Sequence, residues 1–182
     1  IQKKSGFKTF KTMTLSRCFL AVALLLSAIH CKNTGSYETP TIQIGVVVSD
    51  LNRSLEFYKN VLGMEETGII NLDADFGKES GLTGGVPTQV KVLRLEDSKL
   101  ATEWKIMTFD SLPPVTRSTH IQDAVGMQYI TLSVNSMAPF LERLRKNNVP
   151  LLGNSPVELQ KGRYFVLFQD PDGIFIELIG NE

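Results

Sequence analysis

A single carboxylate, Glu177, stands inside the apolar run Ile174-Phe175-Ile176-Glu177-Leu178-Ile179, directly after the turn Asp170-Pro171-Asp172-Gly173. A charge in a strand that otherwise reads as core loses solvation unless it is paired, bound to a metal or turned into a wet cavity. A carboxylate so placed can ligate a cation, shuttle a proton or hold a ligand's polar group. Lys105 is a second lone charge, within Trp104-Lys105-Ile106-Met107, where it could act as a base or an amine nucleophile. Glu103 lies one pleat repeat before Lys105 and Met107 one after it, so all three share a strand face, with Met107 able to line a pocket.

The elements that must hold these groups are legible around them. Arg163-Tyr164-Phe165-Val166-Leu167-Phe168-Gln169 is a β-branched and aromatic run, Pro171 presets φ for a turn, and Gly173 supplies the left-handed residue that closes a hairpin. On the returning strand Phe175, Glu177 and Ile179 share one face, and Ile174, Ile176 and Leu178 the other. When the second face packs on helices, Glu177 points to the concave side of a sheet.

The same unit occurs twice. Gln43-Ile44-Gly45-Val46-Val47-Val48 reads as a strand and Ser49-Asp50 as a helix cap, and the helix carries Leu51, Leu55, Tyr58 and Leu62 before stopping at Gly63. Tyr129-Ile130-Thr131-Leu132-Ser133-Val134 leads to the cap Asn135-Ser136, and Met137, Leu141 and Leu144 repeat Leu51, Leu55 and Tyr58 at a constant offset of 86 residues. Two further runs, residues 90–95 and 104–109, mirror the final hairpin and put Lys105 where Glu177 falls. Each unit is thus α+β, a strand, a helix and three more strands. Residues 71–85, with Gly77, Gly81, Gly84 and Gly85, are expected to form a mobile loop over a cavity.

Val48-Ser49-Asp50-Leu51-Asn52-Arg53-Ser54-Leu55-Glu56-Phe57-Tyr58-Lys59-Asn60-Val61-Leu62-Gly63 and Asp170-Pro171-Asp172-Gly173-Ile174-Phe175-Ile176-Glu177-Leu178 together resemble the two signature stretches of the vicinal oxygen chelate (VOC) superfamily. That superfamily includes glyoxalase I, bleomycin-resistance proteins, fosfomycin-modifying enzymes, methylmalonyl-CoA epimerase and extradiol dioxygenases. The resemblance covers residues 40–182 and implies two βαβββ modules, about 40–112 and 121–182, whose curved sheets form a cup.

It also implies a divalent metal at the floor of the cup, held by His, Gln and Glu on the opening and closing strands of the modules. By that correspondence Gln43 and Glu177 fall on ligand positions and suit a metal, whereas Lys105 and Tyr129 fall on the other two and do not. An ammonium repels a cation, and a phenol ligates only once deprotonated. Shifting the alignment by two residues brings in Glu103, and Gln43, Glu103 and Glu177 would then offer oxygen ligands to Ni, Mn or Mg. His120, the only histidine of the body, ligates only if its loop folds back into the cup, and a solvated loop histidine is the preferred reading. Ni, Zn, Mn and Fe are the metals to test, but a metal-free cup is favoured, with Lys105 and Glu177 forming an ion pair across its floor.

The chain has 182 residues, 42% hydrophobic, enough for one domain or two fused modules. Residues 1–31 read as a signal peptide, complete also when read from Met13: Lys3, Lys4, Lys8, Lys11 and Arg17 precede an apolar stretch over residues 19–29. That stretch is shorter than the roughly 20 residues of a membrane span. Cys31, followed by a polar tether at 32–39, resembles the lipid-modified cysteine of a bacterial lipoprotein, except that His30 stands where a small residue is usual. The expected locations are therefore periplasmic, outer-membrane lipoprotein or secreted, with membrane anchoring through Cys31 as one possibility. Beyond residue 30 the balance of basic to acidic residues moves from 19 against 19 to 14 against 19, which argues against nucleic acid as a partner. Both cysteines, Cys18 and Cys31, belong to the leader, so the body has no disulfide or thiolate site.

Two functions compete. One is an exported VOC domain binding a small organic molecule in its cup, with a degraded or absent metal site, lined by Gln43, Tyr129 and Met107. The other is a metal-dependent lyase or isomerase resembling lactoylglutathione lyase, in which Glu177 or Glu103 shuttles a proton. An extradiol dioxygenase is disfavoured, because its iron wants two histidines. The cup closes either within one chain or between the two chains of a homodimer.

Overall fold

A computed structural model of the chain describes residues 36–182, so the leader, Cys31 and the start of the tether lie outside the described residues. The chain divides into Ile1–Glu38 and Thr39–Glu182. Of the first unit only residues 36–38 are described, and they are exposed. The rest concerns the second unit.

Alternation of apolar and polar residues produces strands whose two faces have different fates. In the first module β1 (Gln43–Val47), β2 (Glu65–Leu72), β3 (Thr88–Arg94) and β4 (Glu103–Met107) form one sheet in the order β1-β4-β3-β2. In the second, β5 (Tyr129–Val134), β6 (Val157–Gln160), β7 (Arg163–Gln169) and β8 (Phe175–Asn181) repeat it as β5-β8-β7-β6. In each sheet the opening strand runs parallel to the closing one, and the other pairs are antiparallel. A parallel pair needs a crossover, which the helix of each module begins. The fold is α+β, two βαβββ modules, as the repeat predicts.

Helix α1 (Leu51–Glu56) starts where Asp50 accepts a hydrogen bond from the Arg53 backbone at 3.0 Å, and continues as a π-helical turn, Phe57–Val61, before Gly63 ends it with φ 79°. The wider turn lets the adjacent Phe57 and Tyr58 both be buried, against different sheets. Tyr58 packs on Trp104 of β4 with ring centroids 5.6 Å apart, and Phe57 on Phe168 of β7 at 6.3 Å. This helix therefore touches both sheets. One core results, running from Val46, Leu93, Trp104 and Ile106 to Leu132, Val166, Phe168, Ile176 and Leu178. The faces turned away from this core carry Gln43 and Lys105 on one sheet and Tyr129 and Glu177 on the other.

Two local expectations change. Residues 71–85 are not a loop throughout: Asp73 caps a short helix, α2 (Ala74–Glu79), and Gly77 packs too closely on the Thr83 side chain to carry a Cβ. The helix of the second module, α3 (Ala138–Lys146), starts after Met137 rather than at Asn135-Ser136. The Met137 backbone N–H donates instead to the Asn181 carbonyl at 2.8 Å, and Pro139 sits in the first turn, where its missing N–H is not needed.

Gly180 opposes Val134 in the β5–β8 ladder, and a Cβ there would lie 2.5 Å from the Val134 carbonyl oxygen. Gly180→Ala is expected to lower stability by about 1–3 kcal/mol, measured by urea unfolding, because backbone rather than a flexible side chain must yield.

Candidate functional site

On the first sheet the parallel register sets Gln43 beside Glu103 and Gly45 beside Lys105. The outward face thus gathers Gln43, Glu103, Lys105 and Met107, with Arg94 reaching in from β3. Lys105 Nζ donates to Gln43 Oε1 at 2.5 Å and lies 3.7 Å from Glu103 Oε2. The other Glu103 oxygen accepts from the Arg94 guanidinium. Gly45 leaves room for Met107, whose Cε would be 3.8 Å from a Cβ at that position.

On the second sheet the register sets Thr131 beside Glu177 and Tyr129 beside Phe175. The Thr131 hydroxyl donates to Glu177 Oε2 at 2.6 Å. Tyr129 is 45% exposed, at the open edge of the face. Among the described residues no hydrogen bond or ion pair joins these groups to Gln43, Glu103 or Lys105, and Lys105 is paired with Glu103 and Gln43 instead of Glu177. One chain thus brings Gln43, Glu103, Lys105 and Met107 together and Tyr129 and Glu177 together, but not the two sets.

A cavity of about 490 Å³ opens beside Glu177. Leu152, Val157, Phe165, Leu167 and Phe175 form its walls, and residues 119–122 close one side. That segment, with His120 in it, does fold back over the sheet. It is held there by Gln169 Nε2, which donates to the Ser118 carbonyl at 2.8 Å, and by Arg117, which donates to the Pro171 carbonyl. His120 nevertheless keeps a largely exposed side chain and makes its nearest ion-pair contact to Asp123, at 3.9 Å. The Asp123 carboxyl is held below the usual range by the backbone N–H groups of His120 and Thr119.

These residues do not suit the divalent metal that the resemblance implies. The Gln43 amide oxygen already accepts from an ammonium, and both Glu103 oxygens face cations. An ion placed among them would meet two positive charges. Among the described residues no group of three or more His, Cys, Asp or Glu side chains is arranged to hold a metal.

A second, polar groove lies between the modules, lined in part by Arg53, Arg117, Asn147 and Asp170. Several of its charges are already engaged: Arg53 donates to Ser49 Oγ at 2.9 Å and to Asp172 at 3.1 Å. Asp172 also accepts from the Ser49 backbone, and Asp170 from the Tyr58 hydroxyl. The Asp-Pro-Asp-Gly turn of one module is thus a latch onto the helix start of the other.

Several working residues were missed in the sequence. Thr131 was recoverable, since parallel pairing of opening and closing strands places it opposite Glu177. Phe165 and Leu167 carry the period-two signal of the Glu177 face across to β7. Arg94 was recoverable in the same way, since the antiparallel register of β3 and β4 carries on to place it opposite Glu103.

The sequence profile of the Glyoxalase/Bleomycin resistance protein/Dioxygenase superfamily matches residues 42–178, and the chain belongs to that superfamily. Among solved structures it is similar to a glyoxalase family protein from Bacillus cereus, with TM-score 0.65 and 16% identity over 82% of this chain and 97% of that one. It is similar also to the trypanothione-dependent glyoxalase I of Leishmania major, with TM-score 0.52 and 22% identity over 76% and 84% of the two chains. A fosfomycin resistance protein from Listeria monocytogenes gives TM-score 0.51 and 20% identity over 82% and 93%. At these identities the likeness is one of fold. No curated protein matches the chain.

Proposed function

We propose that the chain is an exported VOC-superfamily domain that binds a small organic molecule without a metal. The observation that supports it is the cavity beside Glu177, of a size that holds a drug-like ligand and with mostly apolar walls. Export rests on the leader, and membrane anchoring on Cys31, both outside the described residues. Among the described residues no helix is long and apolar enough to cross a membrane.

A homodimer is the arrangement in which the Lys105 face of one copy and the Glu177 face of another would close a shared cup. The cavity, however, has its lining within one chain, so binding there does not depend on association.

Metal analysis tests the reading. Purified protein loaded with Ni, Zn, Mn or Fe(II) and then desalted is expected to retain well under one metal per chain by elemental analysis. Retention near one per chain, lost in Glu177→Ala, would replace the reading with a lyase or isomerase resembling lactoylglutathione lyase, with Gln43 and Glu177 as ligands.

A further inference from the structure

Phe175 lies on the outward face of β8, outside the shared core, and is nevertheless only 1% exposed. The cavity that it lines is bordered by residues 119–122, 152–155 and 157. The charges there are one-sided. No Lys or Arg lines the cavity, and His120 has Asp123 beside it as a counter-charge, which leaves the Glu177 carboxylate without a cationic partner. One Glu177 oxygen is taken by Thr131; the other has no hydrogen-bond partner among the described residues. A half-buried carboxylate with a free oxygen beside an apolar wall is well matched by a desolvated cation, which gains the charge-assisted hydrogen bond and the contact with Phe165.

We propose that this cavity binds an organic cation, a protonated amine on an apolar body about the size of one or two fused aromatic rings. The ammonium meets Glu177, and the body lies against Phe165 and Leu167. Thr131 is a positioning residue, fixing one carboxylate oxygen so that the other points to the ligand. This assignment rests on the small-molecule reading of the same site and adds the ligand's charge and shape.

Three probes of nearly equal shape test it by calorimetric titration of the full chain: 1-naphthylmethylammonium, the neutral 1-naphthalenemethanol and the anionic 1-naphthoate. The ammonium is expected to bind about tenfold more tightly than the alcohol, and the carboxylate more weakly than either. In Glu177→Gln the preference should fall below about threefold while the alcohol still binds, which also shows the variant to be folded. Phe165→Ala should weaken the ammonium and the alcohol alike. Equal affinity of ammonium and alcohol in the unaltered chain would overturn the cation assignment and leave the cavity as a binding site. A preference that survives Glu177→Gln would overturn the role of Glu177. Binding of none of the three would overturn both this assignment and the small-molecule reading.

Discussion

Asp170→Ala is expected to lower the unfolding free energy by about 3 kcal/mol or more, among the largest single losses in the molecule. The carboxyl is 1% exposed and accepts three hydrogen bonds: from the Tyr58 hydroxyl at 2.8 Å, the Asp172 backbone at 2.9 Å and the Ile174 backbone at 2.8 Å. Truncation leaves three donors without their acceptor, each costing about 1–3 kcal/mol when it stays buried. Tyr58→Phe removes one of them together with its partner's bond and should cost only about 1 kcal/mol. Urea unfolding of the two variants and their double mutant separates the hydrogen bond from the turn it serves.

The same carboxyl gives a pH dependence of defined sign. Burial raises its pKa above the ordinary carboxylate range, against the lowering effect of its three donors. The folded state then holds the proton where the unfolded chain has released it, so this group's contribution is fully present below the unfolded pKa and is lost as pH rises through the folded one. The stability of the native protein relative to Asp170→Asn, which cannot titrate there, should accordingly fall across that window. A rise instead would mean that the donors outweigh burial.

Phe168→Ala is expected to cost about 3–5 kcal/mol, in the range for large aromatic truncations in a core. Phe168 is fully buried and meets Phe57 across the junction of the modules. For a domain of this size that loss corresponds to a fall in Tm of roughly 10 °C. Since the ring belongs to a core that both sheets share, unfolding should remain a single transition rather than separate into two. A double-mutant cycle with Phe57→Ala should show a coupling of about 0.5–1.5 kcal/mol. Two resolved transitions in the unaltered protein would show that the modules fold independently.

What the sequence made legible is the part written in local periodicity. The offset of 86 residues locates both opening strands and both helices, the closing hairpins correspond at Lys105 and Glu177, 72 residues apart, and β5 runs over the residues read for it, Tyr129 to Val134. Glu177 could be assigned to an outward face because two-residue alternation decides faces without tertiary information. The relative placement of the modules was not legible, because it depends on which side of a helix meets which sheet. Phe57 and Tyr58 are adjacent apolar residues in the sequence, and only the π-helical turn sends them to different sheets. Asp170 read as a turn former by virtue of Pro171 and Gly173. Its bond to Tyr58 spans 112 residues, and no local pattern encodes such a pairing. Lys105 was read as the partner of Glu177 from the repeat, but equivalent positions in a repeat need not pair, and here each is met on its own sheet.

That separation has a consequence for how the chain tolerates change. Lys105 and Glu177 each find their hydrogen-bond and ion-pair partners on their own sheet, so a substitution at one is expected to leave the partners of the other in place. The two copies of the unit thus share one interior while each carries its own set of polar groups. The equivalent positions 105 and 177 accordingly hold opposite charges without pairing to each other.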